Sequence, residues 1–195
     1  MTSISGWFDA LERDGDVLRL RRNITLGRDR YLADHRVGDR VVVPGAALCD
    51  MLGRAGALRI PAATLCALED VAFEQQLAVA EIADEPTMVT ATAAVAPARS
   101  RFAAIDVSLT SDFVVPVRPD RVVNRRHARG RVLLGRAPAT ATPAFAPQAL
   151  APPSAPLCDY GPLYRDRVGS VLGPRFQLVE RLAAELRGNG EVAAR

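Results

Sequence analysis

The chain has two histidines, and histidine is the side chain whose ordinary pKa, about 6.5, suits proton transfer near neutral pH. His35 lies in "RYLADHRVGDRVVVPGAALCDML", residues 30–52, nine positions before a Pro44-Gly45 step that opens an apolar segment. Taken alone, it is either a catalytic base or a loop histidine satisfied by solvent or backbone. His127 lies in "RRHARGRVLL" among strand-like residues and reads as structural. Of the carboxylates, Asp34 adjoins His35 and reads as a loop-fixing residue. Asp159 and Asp166 have no spacing that sets either opposite His35. Cys49, Cys66 and Cys158 lie far apart without a CxxC spacing, so neither a disulfide framework nor a zinc site is expected. They read as small buried hydrophobes, and no metal site is expected.

Holding His35 in place requires a scaffold, and the apolar periodicity outlines one. "DVLRLRRNITL" reads as an early strand through Val17, Leu18, Leu20, Ile24 and Leu26. From Gly45 to about Leu58 the period is helical, with Ala47, Leu48, Met51, Leu52 and Ala55 at three- and four-residue steps. Pro44 stands at the first turn, where a helix tolerates proline best. Gly53 and Gly56 suit a helix packed closely against a sheet. Four strand-like segments follow: "DVAFEQQLAV" with Val71, Phe73, Leu77 and Val79 on one face; "TMVTATAAV" with Val89, Ala91, Ala93 and Val95; "RFAAIDVSL" with Ala103, Ile105, Val107 and Leu109; and "HARGRVLL". Alternation across neighbouring segments predicts an antiparallel sheet with one buried face. One helix among strands makes an α+β layer, and the helix is the only element available to cover the sheet. A curved antiparallel sheet around one central helix is the hotdog fold, expected here over residues 15–135 with Leu48, Met51 and Leu52 beneath the sheet.

The stretch 136–156 holds six of the fourteen prolines and reads as a semi-rigid linker. The expected organisation is a hotdog over 1–135, a Pro/Ala-rich linker over 136–157 and the start of a second, incomplete hotdog over 158–195. That last stretch is too short to close its own core, and the chain reads as stopping inside it. All 25 basic residues are arginine, and the net charge is only +3. The arginines of "RRHARGR" have no aromatics interleaved, so a nucleic-acid partner is not expected. No apolar run is long enough to span a bilayer and the N-terminus lacks a basic leader region, which reads as a cytoplasmic protein without membrane partners.

Three segments together resemble the dehydratase domains of modular polyketide synthases, which are double hotdogs. "HRVGDRVVVPGAA" is similar to the family's HxxxGxxxxP segment followed by Gly-Ala. "RRHARGRVLL" is similar to the closing strand of its first hotdog, and "LYRDRVGSVLGPRFQLV" to the opening of its second. They occur in the family's order with a proline-rich stretch between the second and third. One departure is local: the family glycine four residues after the histidine is Asp39 here, with Gly38 one place earlier. Another is larger: the family's catalytic aspartate lies on a helix of the second hotdog, past the end of this sequence.

The resemblance implies removal of water from a β-hydroxyacyl thioester carried on an acyl carrier protein, with His35 as base. Pro44, Gly45 and Gly38 would form the substrate-binding and oxyanion region, since free N–H groups at a helix start stabilise a developing enolate. Gly173, Pro174 and Phe176 would shape a wall of the substrate tunnel. No cofactor is implied; the phosphopantetheine arm arrives with the carrier. Implied partners are the carrier protein, a second hotdog half or other synthase domains, and a second copy of the chain. The rival reading is a non-catalytic hotdog remnant serving as a scaffold or interaction module within a synthase.

Overall fold

The structure is a computed structural model, which describes residues 7–81, 85–99, 101–115 and 117–135, together with five short strands beyond them in their backbone pairing. In chain order the elements are β1 (Ala10–Asp14), β2 (Val17–Ile24), a 3-10 turn (Arg30–Asp34), β3 (His35–Val37), β4 (Arg40–Val41), α1 (Gly45–Arg59), β5 (Thr64–Phe73), β6 (Thr87–Arg99), β7 (Phe102–Val115) and β8 (Arg118–Gly135). Then come β9 (Cys158–Asp159), β10 (Ser170–Leu172), β11 (Arg181–Leu182), β12 (Ala184–Leu186) and β13 (Val192–Ala194). Six strands form one sheet in the order β1-β2-β6-β7-β8-β5, every neighbouring pair antiparallel. The helix packs across β5, β6, β7 and β8. This is the hotdog arrangement that the alternation predicted.

The helix forms the filling because its apolar stripe has nowhere else to go. Leu48, Met51 and Leu52 are buried against inward residues of the long strands, among them Ala91, Ala93, Ile105, Val107, Leu109, Ala128 and Val132. The contact is close enough to demand glycine. A β-carbon on Gly56 would lie 2.6 Å from the Val132 β-carbon, well inside van der Waals contact. On β8, a β-carbon on Gly130 would press between Val71 at 3.2 Å and Leu52 at 3.5 Å.

Three features differ from the sequence reading. β1, an exposed five-residue edge strand, precedes the first strand that the periodicity outlines. Its residues bury nothing, so they carry no apolar alternation. Next, β5 begins at Thr64 and ends at Phe73, so Leu77 and Val79 are not on it. Asp70 adopts φ +52° beside a register shift between Glu69 and Ala72, and such a bulge reverses which residues face inward. Phe73 is consequently 56% exposed whereas Leu77 and Val79 are buried. Finally, Val95 is exposed; it lies past Ala94, the last residue of β6 that pairs with β2, so its strand has no neighbour on that edge there. Arg22, by contrast, points inward on β2 and is buried with Asp29.

The linker read over 136–157 lies outside the described residues, and beyond Gly135 only β9 to β13 are described. One of these bears directly on His35. β10 pairs antiparallel with β3, setting Leu172 opposite His35, and with β4 the three strands form a small separate sheet in the order β10-β3-β4.

Candidate active site

Three supports bring the chain to His35. The buried Arg22 guanidinium bonds the Asp29 carboxylate and the Trp7 carbonyl and stacks on the Trp7 ring. The Asp29 carbonyl accepts the Leu32 N–H at 2.9 Å, starting the 3-10 turn that plugs Leu32 into the core. His35 follows at once as the first residue of β3. Its Nδ1 is 2.7 Å from the Val42 carbonyl oxygen. A carbonyl can only accept, so Nδ1 carries the proton and Nε2 is the basic nitrogen of the neutral ring.

Val42 is itself clamped. Its N–H donates to the His35 carbonyl at 3.1 Å, while Val43 N–H bonds Leu77 O and Val79 N–H bonds Val41 O, each at 2.9 Å. Val42 and Ala78 form the bridge between these bonds. In such a register both polar groups of Val42 turn away from residues 77–79 and toward His35.

His35 shares a cleft of about 340 Å³ with Val42, Val43, Gly45, Leu48, Phe73 and the wall Glu74–Leu77. The helix start opens beside it. Pro44 is the N-cap and offers no side-chain cap, the first turn holds no acid, and the first intrahelical bond runs from Leu48 N–H to Pro44 O. The amides of Gly45, Ala46 and Ala47 therefore have no intrahelical acceptor and form the positive end of the helix dipole. The Phe73 ring lies so near that a β-carbon on Gly45 would be 3.3 Å from its Cζ. The carboxylate on this wall is Glu74. Hydrogen bonds from Arg126 and Arg129 hold it below the usual carboxylate range, which suits it poorly to donating a proton.

His127 sits behind the same wall. A register shift on β8, where Leu109 pairs with Ala128 but Thr110 with Arg126, leaves it as the extra residue of a bulge, so His127 and Ala128 are both buried. Its Nδ1 donates to the Gln75 carbonyl at 3.2 Å, and its Nε2 accepts from the Ser111 hydroxyl at 2.7 Å. Burial pushes its pKa down, partly countered by the bonds to the Gln75 and Gln76 backbone, and nearby Arg125 lowers it further.

The family model described as the polyketide synthase dehydratase domain matches residues 10–108, which includes β1 through the first half of β7 and the whole His35 cleft wall up to Leu77. The chain belongs to this family. Among solved structures it is similar to the dehydratase domain from the CurF module of curacin polyketide synthase, with TM-score 0.71 and 18% identity, covering 90% of this chain and 61% of that one. It also resembles the dehydratase domain from the terminal module of the rifamycin polyketide synthase, with TM-score 0.64 and 28% identity, covering 92% and 59%. A third is a trans-AT polyketide synthase dehydratase domain from Brevibacillus brevis, with TM-score 0.62 and 21% identity, covering 90% and 62%. The chain thus spans about three fifths of the length of each of these domains. No curated protein sequence matches it.

For this dehydratase-family chain, the structure brings His35 and Gly45 into one cleft, with Pro44 as the N-cap of the helix that Gly45 begins, and leaves Gly38 outside it. Gly38 is a turn residue and does not line the cleft. It takes φ +62° with nothing within 4 Å of its would-be β-carbon. Val37 pairs with Arg40, so Gly38-Asp39 is a two-residue hairpin loop with glycine at the first position, as a type II′ turn requires. That accounts for Asp39: the glycine has moved to the position with positive φ. Gly173, Pro174 and Phe176 lie outside the described residues, directly after β10. Missed by the sequence reading were the Val42 carbonyl, the Phe73 ring, the Gln75–Gln76 wall and Ser111. A backbone acceptor has no sequence signature, and the wall residues sit in what reads as a continuous strand. Among the described residues, no group of three His, Cys, Asp or Glu side chains could hold a metal ion, and no helix is long and apolar enough to cross a membrane.

Proposed function

We propose that the chain is the His-bearing half of a dehydratase that removes water from a β-hydroxyacyl thioester delivered on an acyl carrier protein. The observation that carries this reading is the bond from His35 Nδ1–H to Val42 O, made within the cleft where the α1 amides open. Nε2 of His35 takes the α-proton. The electron pair of that C–H bond moves toward the thioester carbonyl, whose oxygen gains charge and is met by the Gly45–Ala47 amides. Collapse of the enolate forms the α,β double bond and breaks the β C–O bond. The departing hydroxide needs a proton from an acid, and Glu74 is held ionised. The acid in this reading belongs to a second hotdog half, and what supports that side of the cleft is β10, which pairs with β3 and sets Leu172 opposite His35. Phosphopantetheine is part of the substrate, and no resident cofactor is called for.

The rival reading, a scaffold without catalysis, is favoured by Asp39 and by the lack of the family's catalytic aspartate in this sequence, and the turn geometry removes only the first of these supports. The deciding experiment is mass-spectrometric detection of water loss from a β-hydroxyacyl carrier protein. The chain supplemented with a second hotdog half should dehydrate the substrate, and the chain alone should be nearly inactive. Absence of turnover in the completed domain would favour the scaffold.

A further inference from the structure

His127 is a buried imidazole that the proposed reaction does not use, yet both of its ring nitrogens are engaged and its bonds run toward the cleft. Residues 74–76 belong to no strand. They are held to the sheet by Glu74 N–H to His127 O at 2.9 Å and by the His127 ring at Gln75 O. Two residues later Leu77 O takes the Val43 N–H, and the Val42 carbonyl beside it receives His35 Nδ1–H. A histidine confined to core packing would not need to sit in a bulge that turns it toward an unpaired loop.

We propose that His127 is a positioning residue for His35. It acts through the short backbone path Gln75–Leu77–Val42, which sets where the Val42 carbonyl stands and therefore which tautomer His35 adopts. Ser111 belongs to the same device. Its hydroxyl donates to Nε2, which keeps the His127 proton on Nδ1, where the Gln75 carbonyl needs it. Loss of the His127 donor removes a tie that holds the exposed loop residue Gln75 to the sheet, and its carbonyl is then free to turn to water, the alternative partner of any exposed acceptor. Residues 74–77 then shift, the register of Leu77 against Val43 loosens, and Val42 O moves off Nδ1. The value of this arrangement for catalysis rests on His35 being the base, but its geometry does not.

The test reads His35 directly. The chain has only two histidines, so heteronuclear NMR of the imidazole rings reports each tautomer without ambiguity. Unaltered protein should show His35 as the single Nδ1–H form. In His127→Phe, which keeps bulk but no donor, His35 should revert to a mixture of both tautomers. In His127→Asn, whose side-chain amide can still reach Gln75 O, the single form should return. Ser111→Ala covers the case in which His127→Phe fails to fold: His127 should lose its single tautomer and His35 should follow. A folded His127→Phe chain with His35 still wholly Nδ1–H would overturn the proposal. So would a Ser111→Ala chain in which His127 changes and His35 does not. Because neither readout needs turnover, failure of the dehydratase reading would leave this result intact, and the reverse holds too.

Discussion

The two histidines occupy opposite kinds of structure. His35 begins a three-residue strand in a small sheet at the margin of the hotdog, half-buried, with Nδ1 committed to a backbone carbonyl. His127 lies within the eighteen-residue β8, buried, with both nitrogens committed. The difference teaches where chemistry and rigidity reside in this fold. The long strands with α1 make a floor that can absorb a bulge, and the short hairpin presents the His35 imidazole, the base of the proposed reaction, against that floor. If this division is right, changes at His35 should alter activity at little cost in stability, and changes in the floor should do the opposite.

The largest expected effect is therefore on turnover. In a domain completed with its second half, His35→Ala should reduce water loss by about a hundred- to ten-thousand-fold, the usual worth of a general base. Its unfolding midpoint in urea should scarcely move. Equal turnover in the variant would reduce His35 to a loop histidine and collapse the comparison.

The floor should respond the other way. Leu52 is fully buried, and its Cδ1 lies 3.5 Å from where a Gly130 β-carbon would be, directly inside the HARGR strand. Leu52→Ala should cost about 2–5 kcal/mol by leaving a cavity, measured by denaturant unfolding. A cost below about 1 kcal/mol would mean that the helix does not brace the strand that carries His127.

How far the sequence revealed this division depends on what each part is made of. Helix α1 and the inward faces of β2, β6, β7 and β8 were legible because burial imposes a period, and Leu18, Leu20, Ile105, Val107 and Leu109 obey it. β1 was not, since an exposed edge selects for no pattern. β5 was misplaced because Asp70 and the adjacent bulge reverse parity, a backbone event that residue types do not announce. At the site, the Pro44-Gly45 helix start was legible from type and spacing, whereas His35 stood out only through the family resemblance, since taken alone it reads equally as a loop histidine. The Val42 carbonyl was not, because every residue has one. The partnership of His127 with Gln75 was hidden by a separation of 52 residues, and only the fold brings the two together.

The third prediction uses the pH at which the floor loosens. Burial lowers the folded-state pKa of His127, so as pH falls past about 6.5 the unfolded chain takes up a proton that the folded chain refuses. Stability should thus be unaffected by His127 above that point and fall as pH drops from about 6.5 toward the folded pKa. Asp9 and Glu74, whose pKa values are also lowered, contribute in the carboxylate range near 4, a separate window. Urea unfolding at stepped pH should show the decline in the unaltered protein and a flatter profile in His127→Asn. An equal slope in both would place the sensitivity elsewhere.

The smallest effect separates two adjacent residues in the hairpin that carries His35. Gly38 has φ +62°, where a β-carbon crowds its own backbone whatever space surrounds it, so Gly38→Ala should cost about 1 kcal/mol. Asp39 does not have a positive φ, and its carbonyl, not its side chain, accepts the Arg36 guanidinium at 2.6 Å. Asp39→Gly therefore removes nothing the hairpin uses and should stay within about 0.5 kcal/mol, with turnover of the completed domain nearly unchanged. The double change Gly38→Ala with Asp39→Gly sharpens the point. If the hairpin can slide its turn by one residue to put glycine four places after His35, the second change will recover most of the loss from the first. If the Val37–Arg40 pairing fixes the register, there will be no recovery. The Arg36 side chain also holds both carboxylate oxygens of Glu81, at 3.3 and 3.0 Å, and a slide would break that fork. Absence of recovery is accordingly the expected outcome, and thermal unfolding of the four proteins decides it.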